Sequence, residues 1–243
     1  MRVVSLCPSL TESVFALGLG TYLVGRTKFC VQPRGLVDGV ERVGGTKNPR
    51  LDQIVALRPD VVLMNEEENR REDADALQAA GVRVLSTFAR DVAGATLSLR
   101  QIGASLGADA EPLARAIELR AGELAARVRR RVSFAYLIWR DPLMAAGPGT
   151  YINGLLNLAG GENVAAGDRY PIVNIATLAR ADRVFLSSEP FPFAEEHRLE
   201  LAAAGVPLGR LHLVNGELLS WHGAKTLEGL AYAESVLQLN GPP

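Results

Sequence analysis

The chain has 243 residues, 48% of them hydrophobic, 22% charged, and a formal net charge of -1. That length and apolar content can bury one large core or two smaller ones and exclude a disordered chain, while the near-neutral balance excludes a nucleic-acid binder, which would carry a basic face. No stretch approaches about eighteen uninterrupted apolar residues, so no membrane-spanning helix is predicted.

The β-branched run at 2–6 predicts a strand, and Ser9 with Glu12 has the spacing of a capping box, which predicts a helix from Ser9 to about Leu17. Residues 22–29 read as a second strand and 31–45 as a long loop. A short helix at 51–57 closes before Arg58 and Pro59, because a residue preceding proline is pushed out of the helical region. Residues 61–65 read as a strand. Glu66, Glu67 and Glu68 suit the positive end of a helix running to Ala80. A strand at 82–87 and a helix from Asp91 to about Gly107 follow.

Residues 109–131 read as one long helix. Asp109 can cap it, Pro112 falls in the first turn, and Leu113, Ile117, Ala121, Leu124 and Val128 form a single apolar stripe. Glu111 with Arg115, and Glu123 with Arg127, are spaced to pair on other faces. The basic cluster Arg129 to Arg131 reads as a solvated helix end. Beyond it, 132–139 is a continuous apolar strand of the kind buried on both faces in parallel sheets. A helix at 151–159, a turn at 160–163, a short helix at 174–180, a strand at 183–187, a helix at 194–204, a strand at 211–214 and a closing helix at 225–239 complete the chain.

The two halves repeat a pattern. Arg58, Pro59 and Asp60 before one strand correspond to Arg180, Ala181 and Asp182 before another; Gly81 follows Asp60 by 21 residues and Gly205 follows Asp182 by 23. The expected architecture is α/β: two parallel-sheet lobes, 1–108 and 132–243, joined by the helix 109–131.

Gly103, Ser105 and Gly107 fit the spacing of a hydrolase nucleophile elbow but lie at the tail of a helix rather than between strand and helix, so no catalysis is expected there. Glycine-rich phosphate motifs are absent. Two cysteines, Cys7 and Cys30, are too few for a disulfide framework or a cysteine-built zinc site and read as free, half-buried thiols. Of the three histidines, His197 reads as a surface residue and His212 as a strand residue; only His222 is a plausible metal ligand. Glu66 to Glu68 could bind a cation, although a helix-start cluster is the simpler reading.

What remains is a set of aromatic and polar residues after strands: Phe29, Asn65, Trp139, Arg140, Trp221 and His222. Ligand crevices in open α/β sheets lie at the carboxyl ends of strands, so these positions predict an aromatic-lined cleft between the lobes for a large, flat, partly anionic ligand. Lys28, beside Phe29, and Tyr151, opening a helix, join the candidate set.

The segment Arg2 to Glu12, Val43 to Gly45 together with 51–60, and 158–163 resemble the substrate-binding proteins of vitamin B12 and iron-chelate ABC importers over nearly the whole chain. The resemblance implies a class III periplasmic-binding-protein-like fold and a non-enzymatic receptor for a corrinoid or a metal chelate such as an iron siderophore or haem. By position, Phe29 matches an aromatic that contacts the corrinoid, Trp221 lies in a loop that supplies another, and Asn65 stands where the family places a tryptophan. His222 would be a possible axial ligand. Asp52 can stand for one of two acidic permease-docking residues, whereas 173–175 has no carboxylate for the second. A second reading keeps the fold and makes the chain a cytoplasmic enzyme or chaperone for such a ligand, with Cys7, Cys30 and His222 meeting in the cleft. A free metal-ion receptor is disfavoured by the scattered histidines. As written, without a leader, the expected location is the cytoplasm; if a leader was removed, it is the periplasm or cell envelope.

Overall fold

The computed structural model describes residues 1–238, and the expected end of the last helix at Leu239 lies outside them. The chain divides into two compact units. The first comprises Met1–Ala89, Ala93–Ala116 and His222–Lys225; the second comprises Arg90–Val92, Ile117–Trp221 and the segment from Thr226 onward.

The first unit is built on β1 (Val3–Ser5), β2 (Leu23–Arg26), β3 (Glu41–Arg42), β4 (Val61–Asn65) and β5 (Val84–Thr87), all parallel, in the order β3-β2-β1-β4-β5. Alternation along the strands divides the core into two layers. Val3, Val61 and Leu63 pack with Leu10 and Val14 of α1 (Pro8–Ala16) and Ile102 and Leu106 of α4 (Val92–Leu106). Val4, Val62 and Met64 pack with Ile54 of α2 (Leu51–Ala56) and Leu77 of α3 (Arg71–Ala79). After β3 the chain returns to the other side of β1 to add β4, so the winding direction reverses between β1 and β4.

The second unit centres on β6 (Val132–Trp139), flanked by β9 (Arg183–Ser187), with β10 (Leu211–Val214) outside it. These pairs are parallel, and β8 (Gly161–Asn163) also joins β6 in parallel, while β7 (Met144–Ala145) pairs with β6 antiparallel. The core gathers Ala135, Leu137, Val184, Leu186 and Leu211 against Leu178 of α7 (Ile175–Leu178) and Leu201 of α8 (Glu195–Ala203). The unit also contains α6 (Tyr151–Leu158), α9 (Gly216–Ser220) and α10 (Thr226–Gln238).

The long helix, α5, runs Glu111–Arg127 rather than 109–131. Asp109 does accept from the Glu111 backbone N–H at 3.0 Å, but past Arg127 the helix stops and the arginines hold carbonyls instead: Arg129 that of Ala126, Arg131 those of Asn157 and Gly161. Ile117, Ala121 and Leu124 are buried, with Ala114 taking the place expected for Leu113. Glu111 pairs with Arg115, while Arg127 reaches Glu234 rather than Glu123.

Three other local expectations change. Helix α1 starts one residue earlier, with Pro8 at N1 and Cys7 at the N-cap, because proline's fixed φ and missing N–H suit that position; Glu12 pairs with Lys225 at 2.6 Å instead of closing a capping box. Glu66 to Glu68 do not open a helix. The Asn65 Oδ1 accepts from the Glu67 and Glu68 backbone N–H groups at 3.0 and 3.2 Å, which curls the chain into a turn and delays α3 to Arg71. Residues 160–163 hold strand β8 rather than only a turn, since Gly161, Glu162 and Asn163 find partners in Val132 to Phe134.

Candidate ligand-binding site

Three connections of the first unit meet at the carboxyl ends of its strands: the turn after β2, the loop after β3, and the turn after β4. Asn69 ties the turn after β4 to the end of β1 and to the loop after β3. Its Nδ2 donates to Leu6 O and Thr46 O, both at 3.0 Å, and its Oδ1 accepts from the Asn65 N–H at 2.8 Å. The short segment 222–225 adds a fourth side, with the Ala224 N–H donating to Ser13 Oγ at 3.1 Å.

The turn after β2 is shaped from inside by Arg26, which is 1% exposed. Its guanidinium donates to Val37 O at 2.8 Å, Cys30 O at 3.0 Å and Thr27 O at 3.3 Å, so a single side chain ties the turn to the loop behind it. Turning Arg26 inward ends the strand there, three residues short of the expected Phe29. Lys28 and Phe29 are then carried outward. The Phe29 ring is 51% exposed, and the Lys28 Nζ sits 4.9 Å from its centroid.

Lys47, on the neighbouring loop, donates from Nζ to Glu67 O at 2.7 Å. Its charge lowers the Glu68 pKa, but desolvation is larger and raises it overall, although the side chain is open at the surface. The edge thus offers one open aromatic face, two ammonium groups and adjacent carboxylates.

Asn65 and His222 lie inside this edge rather than on it. Asn65 is 2% exposed; its amide donates to Thr87 O at 3.2 Å and meets His222 Nε2 at 2.9 Å. An amide donor facing Nε2 assigns the imidazole proton to Nδ1. His222 is 6% exposed, and burial pushes its pKa down to about 4, so the ring is neutral at ordinary pH. With Nε2 taken by Asn65, His222 is not presented as an axial ligand. His197 is likewise no surface residue: its ring stands edge-on to Phe191 and Phe193, with Nδ1 accepting from the Ala194 N–H.

The second unit places its candidates differently. Trp139, at the end of β6, is 43% exposed and meets Phe191 edge-on at 5.9 Å. Arg140 bridges to Glu200 at 2.9 Å beside a cavity of about 240 Å³ lined also by Leu143, Ile175, Phe193 and His197. Tyr151 is buried, with its hydroxyl donating to Thr226 Oγ1 at 2.9 Å, and Trp221 is buried at the end of α9. Asp52 is exposed in the first turn of α2. Asn174, exposed, caps α7 by accepting from the Thr177 N–H.

Cys7 and Cys30 are free and fully rather than half buried, 3% and 1% exposed, and burial raises both pKa values. Thiols kept protonated this way make poor nucleophiles. In the native protein both are expected to react with a small disulfide reagent far more slowly than free cysteine, and at the free rate once the chain is denatured; rapid native labelling of either would contradict this placement. Arg26, Lys47 and Asn69, which shape this edge, are not candidates in the sequence. Only Asn65 preceding a polar run, the pattern of an asparagine-initiated turn, carried a local signal.

A profile of the family described as Periplasmic binding protein matches residues 3–184. A vitamin B12-binding protein of Salmonella choleraesuis strain SC-B67 is 28% identical over 176 residues, covering 70% of this chain and 64% of the relative. An ABC transporter substrate-binding lipoprotein, YvrC, of Bacillus subtilis strain 168 is 31% identical over 177 residues, covering 68% of this chain and 55% of the relative. The chain therefore spans less than two thirds of the length of these curated relatives through the matched region. A periplasmic heme binding protein from Pseudomonas aeruginosa superposes with a TM-score of 0.82 at 26% identity, over 100% of this chain and 94% of that one. The periplasmic vitamin B12 binding protein BtuF of Vibrio cholerae gives 0.81 at 18% identity over 98% and 96%. The expected cytoplasmic location gains no support from relatives described as periplasmic or as a lipoprotein.

Proposed function

The chain belongs to the periplasmic binding protein family, and we propose that it is a non-enzymatic receptor for a corrinoid, haem or other metal chelate, working in the cell envelope with an ABC importer. The observation that carries this reading is the open Phe29 ring at the carboxyl edge of the first unit's sheet, with Lys28 over it and Lys47 on the adjoining loop. A flat macrocycle with peripheral carboxylates or amides can lie on the ring while the ammonium groups take its polar rim. Asn65 and His222 serve as the buried framework that holds the two turns in register. In the second unit, Trp139 offers a further open aromatic face, whereas Tyr151 and Trp221 act as core. Asp52, exposed on α2, is the proposed docking residue for the permease; for the second docking residue, 173–175 offers no carboxylate.

Titrating the reduced, purified protein with cyanocobalamin, haemin and a ferric siderophore, while recording visible spectra and thermal unfolding, tests the reading. One of the three is expected to shift its absorption bands and stabilise the fold. Phe29→Ala is expected to weaken that ligand by about 10–30-fold, as loss of a stacked aromatic anchor usually does. Three silent ligands, or a Phe29→Ala variant that binds as tightly as the parent, would overturn it.

A further inference from the structure

We propose that the second unit carries a site of its own for a free apolar α-amino acid, with the side chain in the cavity beside Arg140 and the two charges on the Arg140–Glu200 pair. The site uses none of the residues of the Phe29 edge, so either reading can fail without the other.

The cavity is walled by the second unit's core. Leu143, just before β7, and Ile175, the first residue of α7, both pack on that core, and the Val173 N–H joins their segments by donating to Leu143 O at 2.9 Å. Phe193 and Leu201, each 7% exposed, come from the approach to α8 and from α8 itself. Together they give the cavity of about 240 Å³ an apolar wall. That volume is below the range of about 300–1,000 Å³ usual for drug-sized ligands, so a macrocyclic chelate is too large for it and an apolar group of side-chain size fits.

The rim is charged. Arg140 Nη2 donates to Glu200 Oε2 at 2.9 Å, and the two side chains are 47% and 53% exposed. Among the described residues Glu200 is the one hydrogen-bond partner of this guanidinium, which leaves the rest of its planar fork of donors over. An exposed pair of this kind contributes little to stability and opens at little cost. The other titratable group in the lining, His197, is committed elsewhere: its Nδ1 accepts from the Ala194 N–H at 3.0 Å, and its Nε2 lies 3.9 Å from Glu196 Oε1.

Charge complementarity selects the ligand. A lone carboxylate taking Arg140 would face the Glu200 carboxylate, and a lone amine taking Glu200 would face the guanidinium. A zwitterion answers both, because its carboxylate accepts paired N–H bonds from Arg140 while its ammonium donates to Glu200. The side chain on its α-carbon then enters the wall of Leu143, Ile175, Phe193 and Leu201, so leucine, isoleucine and phenylalanine are the expected ligands. A peptide holds its terminal charges apart and satisfies only one of the two groups.

The test is a titration of the protein with L-leucine and L-phenylalanine, followed by methyl NMR. Saturable binding is expected with a dissociation constant of about 0.1–2 mM, as suits ligands of this size, and with the largest shifts at the methyls of Leu143, Ile175 and Leu201. N-acetyl-L-phenylalanine lacks the ammonium and L-phenylalaninamide the carboxylate; each should bind at least about 10-fold more weakly. Those two comparisons are made on the parent protein and need no variant to fold. Arg140→Gln and Glu200→Gln should show the same loss, with thermal unfolding as in the parent because both side chains are exposed. No saturable shift by about 10 mM, shifts confined to other residues, either analogue binding as tightly as phenylalanine, or either variant binding like the parent would overturn the proposal.

Discussion

Arg26→Met is expected to destabilise the first unit by about 3–5 kcal/mol, since three hydrogen bonds from a charged donor disappear and the carbonyls left behind are buried. Methionine is close in length and apolar, so the loss comes from the unsatisfied oxygens of Thr27, Cys30 and Val37 rather than from a cavity. Arg26→Lys should recover only part of it, because a single ammonium cannot reach three acceptors in the planar fork that guanidinium provides. Urea unfolding followed by circular dichroism measures both variants. A loss below about 1 kcal/mol for Arg26→Met would mean that water reaches these carbonyls as readily as the arginine does. The same variant should weaken ligand binding, because Arg26 positions the turn that holds Lys28 and Phe29.

Acid should destabilise the protein through His222. Its folded pKa of about 4 lies below the unfolded histidine value of about 6.5, so the unfolded chain takes up a proton first as pH falls. The stability tied to the neutral ring is complete above about pH 6.5 and is lost progressively down to about pH 4. At about 1.4 kcal/mol per pKa unit the loss amounts to about 3 kcal/mol. His222→Gln keeps an amide near Asn65 and cannot charge, so its stability should stay flat across that window while the parent's falls. Parallel slopes for the two proteins would show that other groups cause the acid sensitivity. Ligand held by the Phe29 edge should be released over the same range, since the His222–Asn65 bond steadies the turn carrying Glu68.

Elements with a strong local pattern were legible. The strands Val132–Trp139, Arg183–Ser187 and Leu211–Val214 read correctly because unbroken apolar runs bounded by turn residues leave little alternative. The placement of Phe29 and Lys28 was only partly legible: the sequence puts Phe29 at the end of a strand, whereas the inward turn of Arg26 ends that strand three residues earlier and leaves both residues exposed. The errors have a common source. Isolated helices favour Ser9 as a cap and Glu66 to Glu68 as a first turn, yet Pro8 and the Asn65 side chain compete locally and prevail. Strand β8 depends on a partner 29 residues away.

By itself the sequence determined two α/β halves built on parallel strands, because alternating apolar residues, glycine stops and the duplicated Arg-X-Asp entries act over a few residues each. The tertiary structure alone decided what the polar residues do. Asn69 reaches Leu6 across 63 positions and His222 reaches Asn65 across 157, and only that packing turned His222 from a candidate metal ligand into a neutral internal strut. Likewise Cys7 and Cys30 were two separate strand-end thiols until folding enclosed them with Thr11 beside the buried charge of Arg26. Burial and long-range contact set both the ionisation and the partners of these groups, and neither is a property of neighbours along the chain.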